Sequence, residues 1–167
     1  MISWDGALKL VRSTSKCDHA IVVATIMDAL AKRLGENERE WRLVGLLHDL
    51  DYDEVKDDMQ KHGLIAVEKL KTMLPEHCLY AIKAHDYRTG FKPKSKLDKA
   101  LIAADAVAIV MERSGKTIKR LDVAGLSGEI EYVSVSQPWL RDNIFLCRDL
   151  RLDANEFLEL CLASGKK

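Results

Sequence analysis

Apolar residues recur at three- and four-residue spacing along almost the whole chain, with no sustained alternation, which is the period of helices that bury one face. The pattern predicts a short helix over about 5–12 and a longer one over about 16–34, closed by Gly35, a residue suited to a left-handed C-terminal cap. Asn37 with Glu40 three residues on reads as a capping pair for a third helix that runs into Leu46-Leu47-His48-Asp49. After an acidic loop (Asp51, Asp53, Glu54), a fourth helix is expected over about 57–73, and Pro75 suits the first turn of a fifth that ends near His85. The stretch 86–96 holds Gly90, Pro93 and several cations and reads as a loop; Ser95 with Asp98 then caps a sixth helix through about Arg113. Gly115, Gly125 and Gly128 leave the next segment without a clear assignment. Pro138 restarts a helix with Trp139, Leu140, Ile144 and Phe145, and Asp153 with Glu156 caps a last one, where Leu152 can staple against Phe157. The expectation is an all-α bundle in one domain over 1–167, without repeats or linkers.

Composition narrows the possibilities. At 167 residues, 47% of them apolar, the chain can bury a proper core without disulfides. Its 26 basic and 26 acidic residues cancel, so no overall field draws it to phosphate backbones or anionic membranes, and neither nucleic acid nor membrane is an expected partner. Four cysteines (Cys17, Cys78, Cys147, Cys161) form no C-x-x-C pair, and the first residues lack a secretory pattern; the cytoplasm is the expected compartment. No apolar run reaches the ~18 residues of a membrane span, the most apolar stretch, Ala100 to Met111, being interrupted by Asp105.

The informative residues are ionisable ones on apolar stripes, because buried charges need an explanation and buried hydrocarbon does not. His19 starts the stripe Val22, Val23, Ile26, Met27, Leu30; His48 follows Trp41, Val44 and Gly45; His62 shares a face with Met59, Ala66 and Leu70; His85 follows Cys78, Ala81 and Ile82. One such histidine would be an ordinary core residue, but four coincide, while His77 falls off its stripe and reads as a surface residue. Asp105 lies on a stripe with Leu101, Ala104 and Ala108, and a buried carboxylate must be paired or neutralised. Asp49 sits at a predicted helix C-terminus, where the backbone dipole disfavours negative charge. A metal ion would satisfy both. Imidazole and carboxylate donors without thiolates suit manganese, iron, cobalt, nickel or zinc, and magnesium less readily.

His19, then the doublet His48-Asp49 closing Leu43-Val-Gly-Leu-Leu-His-Asp-Leu, then Ala103-Ala104-Asp105, resembles the H…HD…D signature of the HD-domain superfamily of metal-dependent phosphohydrolases. The resemblance covers about 16–115 as the HD core and leaves about 116–167 as a C-terminal helical extension, similar to small stand-alone bacterial predicted hydrolases of the HD or HDIG type. It implies that His48 and Asp49 are catalytic and that His19, His48, Asp49 and Asp105 hold a metal. Lys61-His62-Gly63 and Ala81-Ile-Lys-Ala-His85 look like the further ligands of two-metal members, with Asp49 bridging, so one or two divalent ions are implied. The chain departs from many members in continuing the doublet with Leu50-Asp51-Tyr52, and it carries Asp86 where some two-metal members have a second histidine.

The implied function is hydrolysis of a small phosphorylated substrate, a mono- or diester or nucleotide, by metal-activated water. Such chemistry needs no nucleophilic side chain, in keeping with the lack of a G-x-S-x-G or phosphate-cradling glycine motif. Among the cations Lys83, Arg88, Lys92, Lys94 and Lys96, Arg88 is the preferred phosphate contact for its bidentate fork. Asp51 and Asp86, in polar loops, read as solvated. The same six ligands with iron resemble those of oxygenases in this superfamily, and a non-catalytic metal-binding sensor or partner domain is the other alternative.

Overall fold

The structure, a computed structural model, describes residues 1–114 and 121–164; among them every α or 3-10 element is helical and no strand occurs. Gly115, the start of the expected extension at 116–120, and 165–167 lie outside the described residues. The α-helices are α1 (Trp4–Val11), α2 (Cys17–Leu34), α3 (Glu38–Leu47), α4 (Leu64–Leu70), α5 (Glu76–Ala84), α6 (Lys96–Ser114), α7 (Val123–Ser134), α8 (Pro138–Ile144) and α9 (Ala154–Ser164).

Local chemistry sets most of these boundaries. Gly35 closes α2 at φ +68°, in the left-handed region that glycine enters without a Cβ penalty. The Asn37 side chain accepts the Glu40 N–H at 3.2 Å, and Asp153 accepts that of Glu156 at 2.9 Å. Before α6 the Asp98 carboxylate accepts the backbone N–H groups of Lys94 and Ser95, while the Ser95 hydroxyl accepts the N–H of Asp98, a reciprocal cap. Asp122 caps α7 in the glycine-containing segment that the sequence leaves unassigned, and Pro138 opens α8 where its missing N–H costs nothing.

The expected fourth helix over 57–73 is corrected. Residues Met59–Lys61 form one 3-10 turn, His62 is extended (φ −62°, ψ 129°), Gly63 is left-handed at φ +82°, and only then does α4 begin. A helix cannot run through two residues in those conformations. A Cβ on Gly63 would also lie 2.7 Å from the carbonyl oxygen of Ile82, so the position admits no side chain without backbone movement. The 86–96 loop carries a further 3-10 turn, Tyr87–Thr89, and α8 continues into a 3-10 segment, Phe145–Leu150.

Helix α6 packs against α2, α3, α5, α7 and α8. Covered on nearly every side, it is apolar nearly all round, which is why Ala100 to Met111 reads as so unbroken a run. Buried residues form one cluster from Ala7 to Leu162, to which the C-terminal helices contribute Leu126, Leu140 and Phe157. Among the described residues no helix is long and apolar enough to cross a membrane.

Helices α2 and α3 approach most tightly at Gly45, where a Cβ would stand 2.8 Å from the Ala24 Cα. That contact cannot be relieved by a side-chain rotation. Gly45→Ala is therefore expected to lower unfolding free energy by about 1–3 kcal/mol, measured by urea denaturation; an unchanged midpoint would show that the two helices are free to separate.

Candidate metal centre

The ends of three helices and one irregular turn converge on the α6 face that carries Asp105. His19 comes from the first turn of α2, His48 caps the C-terminus of α3 with Asp49 directly after it, His85 caps α5, and His62 precedes the left-handed turn before α4. All four histidines and Asp49 are buried. His77 is exposed and paired with Glu40 at 2.8 Å, as expected of a surface residue.

Asp49 lies at the centre. Its Oδ1 is 3.3 Å from His48 Nε2, 3.0 Å from His62 Nε2 and 3.6 Å from His85 Nε2, and its Oδ2 is 3.7 Å from His19 Nε2. Asp105 Oδ1 lies 2.9 Å from His19 Nε2 and 3.6 Å from His48 Nε2. The His62 and His85 Nε2 atoms are 3.1 Å apart. Of three groups among the described residues with the spacing of a metal ligand set, two lie here, His19, His48 and Asp105 in one and His48, Asp49 and His85 in the other, with donor atoms within 4.8 Å of one another; the third, Glu40, His77 and Cys78, lies apart.

On three of the four rings the opposite nitrogen is tethered outward. His48 Nδ1–H donates to the Gly45 carbonyl at 2.8 Å, His85 Nδ1–H to the Ile82 carbonyl at 2.5 Å, and His62 Nδ1–H to Asp51 Oδ1 at 2.9 Å. A proton fixed on Nδ1 leaves the Nε2 lone pair facing inward, the tautomer that binds metal. His48 Nε2 is the clearest case, being fully buried with no hydrogen-bond partner. A buried lone pair without a donor is costly, and a cation meets that need. Residues, tautomers and donor chemistry thus fit a divalent transition metal.

In the polypeptide by itself, protons hold the cluster together. Burial opposes charge on His62, but its hydrogen bonds to the Asp49 and Asp51 carboxylates override it and raise the pKa to about 10. His48 is also raised against its burial, by the nearby charges of Asp49 and Asp105. Against its own burial, Asp49 is held well below the carboxylate range by His48, His62 and His85; Asp105 is lowered likewise by His19 and His48.

Asp51 corrects the sequence reading, which placed it in solvent. It is fully buried, and beyond its bond to His62 its Oδ2 accepts the backbone N–H groups of Gly63 at 2.8 Å and Ala66 at 2.9 Å. One carboxylate therefore caps α4 and orients a candidate ligand. Asp86 is buried as well and binds the Arg88 guanidinium, with Nε 2.9 Å and 3.0 Å from its two oxygens. The fork expected to meet phosphate is thus occupied by Asp86.

The centre forms the floor of a cavity of about 590 Å³. Arg88 lines it, whereas Lys83, Lys92, Lys94 and Lys96 are not among its described walls. The walls that sequence reasoning missed include Lys16, Lys56, Glu112 and Arg113, with Trp139 and Asn143 from α8. Glu112 follows Asp105 by seven residues, two helical turns on the same face, and that spacing was the available signal.

A family model described as HD domain matches residues 17–109. Ribonuclease Y of Lawsonia intracellularis is 29% identical over 123 residues, covering 70% of this chain and 24% of that protein. Ribonuclease Y of Oleidesulfovibrio alaskensis is 30% identical over 138 residues, covering 77% of this chain and 26% of that protein. The chain spans about a quarter of the length of these curated relatives. No solved structure matches it.

The proton-held cluster has a pH signature. His62, raised from 6.5 to about 10, contributes stability that is whole below pH 6.5 and is lost as pH rises through 10; the lowered Asp49 and Asp51 contribute above 3.8 and lose that contribution in acid. The Tm of chelator-treated protein should therefore fall between pH 7 and pH 10, and His62→Gln should flatten that decline. Equal slopes in parent and variant would show that His62 carries no such proton.

Proposed function

The chain belongs to the HD domain family, and from that premise we propose that it is a metal-dependent phosphohydrolase that cleaves a small phosphate ester at the base of the cavity. The observation that carries this reading is the inward convergence of four imidazole Nε2 atoms on two carboxylates, with the His48 lone pair buried and unpaired, at the floor of an open cavity.

His19, His48 and Asp105 would hold one divalent ion and His62 and His85 a second, with Asp49 between them. Bound there, such an ion polarises a phosphoryl oxygen and lowers the pKa of its water toward neutrality. The chain supplies position and charge. Asp51 holds the His62 ring in its inward tautomer, and the Asp86 pair fixes the Arg88 guanidinium at the rim. Lys16, Lys56, Arg88 and Arg113 face the cavity with Asp49, Asp86, Asp105 and Glu112, so its charges cancel apart from the imidazoles, which would be neutral as metal ligands. Binding of an anion then depends on the metal's charge.

Helix α8 adds a second recognition element. Trp139 and Asn143, one turn apart, reach the cavity while Leu140 and Ile144 anchor the helix in the core. An indole beside a phosphate site suits a substrate with a planar ring. The Ribonuclease Y relatives make an RNA phosphodiester the first polymeric substrate to compare with mononucleotides, and the balanced charge of the chain favours the smaller ones. Four free cysteines, three of them buried, suit a reducing compartment such as the cytoplasm.

The test is elemental analysis of protein purified without chelator, followed by hydrolysis assays on bis-p-nitrophenyl phosphate, mononucleotides and a short RNA. Two equivalents of metal are expected, falling in His62→Ala and lost with activity in Asp49→Ala. No metal after incubation with manganese, iron, cobalt, nickel and zinc would overturn the reading, and iron with substrate-dependent oxygen uptake would replace it with an oxygenase. Trp139→Ala is expected to raise KM about tenfold for a nucleotide, the loss of roughly 1–3 kcal/mol of ring stacking, with metal content unchanged. Equal KM values would remove α8 from recognition.

A further inference from the structure

Three of the four buried histidines have their outer nitrogen fixed by a hydrogen bond, and the fourth does not. His19 Nδ1 is buried without a hydrogen-bond partner. The polar side chain facing it is Glu112, whose Oε2 lies 3.4 Å away, within ion-pair reach but without a well-aligned bond. Glu112 is engaged elsewhere: Lys16 Nζ binds both its oxygens, at 3.2 Å and 3.1 Å. Lys16 comes from the residue before α2 and Glu112 from the last turn of α6, so the pair spans the same two elements that carry His19 and Asp105.

We infer that Glu112 is the positioning residue of His19: its carboxylate accepts the His19 Nδ1–H when Nε2 serves as a metal ligand, and Lys16 holds it in place. The inference rests on the metal-centre reading above and adds a role that the H…HD…D signature does not contain. The chemistry follows the pattern of the other rings. His48 and His85 are fixed by backbone carbonyls and His62 by the Asp51 carboxylate. A ring free to present either nitrogen binds metal less well, and a carboxylate on the outer N–H raises the basicity of the inner nitrogen as well as fixing its direction. Asp105 cannot do this for His19, because its contact is with Nε2, on the ligand side.

Glu112 is half-exposed, and its mobility is limited by Lys16, whose side chain is 16% exposed and whose ammonium lies 4.9 Å above the Tyr52 ring. The arrangement runs from cation to carboxylate to imidazole, with the ligand atom at its inner end.

The experiment uses the full chain stripped with chelator and titrated calorimetrically with zinc, in the parent and in Glu112→Ala, Glu112→Gln, Lys16→Ala and Asp49→Ala. Glu112→Ala should weaken the tighter binding step by about 10- to 100-fold. Glu112→Gln, which keeps an acceptor oxygen, should recover part of that loss, and Lys16→Ala, which only frees Glu112 from its clamp, should weaken binding by less than Glu112→Ala does. In the zinc-loaded parent the His19 Nδ1 proton should resonate downfield, as expected of a carboxylate-bound imidazole, and should move upfield in Glu112→Ala. Thermal midpoints of the chelated variants, equal to the parent's, separate this role from a structural one. Parent-like zinc affinity in Glu112→Ala, with binding abolished in Asp49→Ala, would overturn the inference and leave the metal centre standing. No zinc binding by the parent would overturn both.

Discussion

A buried carboxylate at the end of a helix organises this structure. Asp49 follows the last turn of α3, where the helix dipole opposes its charge, and it is nearly removed from water. An isolated ion there would cost far more than a domain's net stability of about 5–15 kcal/mol. The fold answers by bringing an imidazole from each of four segments to within 3.7 Å of it. Each requirement of the surrounding architecture follows. Gly45 lets α2 lie against α3, so that His19 and His48 meet; Gly63 lets the chain turn sharply after His62, beside the backbone of α5 that presents His85.

The fold was largely legible in the sequence because its stop and start signals are local: Gly35, Asn37, Ser95, Pro138 and Asp153 act within a few residues of where they stand. The inward histidines were legible for the same reason, since a stripe is a property of one helix. What escaped depends on distant partners. Asp51 looks like its neighbours Asp53 and Glu54, and what sets it apart is the amides of Gly63 and Ala66, 12 and 15 residues on. The break at His62 escaped because apolar spacing continues across it, and only the left-handed Gly63 reveals that the helix begins later.

The HD domain match ends at residue 109, yet the cavity does not. Glu112, Arg113, Trp139 and Asn143 complete its wall. The centre and the wall therefore belong to different parts of the chain, joined by the shared core around α6. Such a division lets the wall change without disturbing the floor. Where one fold hosts several activities, the difference resides in the site and not in the fold.

The contact between His19 and Asp105 joins residues 86 positions apart. Closing a loop of that length costs chain entropy before any bond rewards it, and topologies built on distant contacts fold slowly for that reason. The donors at the two ends of this span meet only when α2 has packed on α6. On a nascent chain the amino-terminal histidine would leave the ribosome long before its carboxylate partner, so the cluster can form only after the intervening helices have been synthesised.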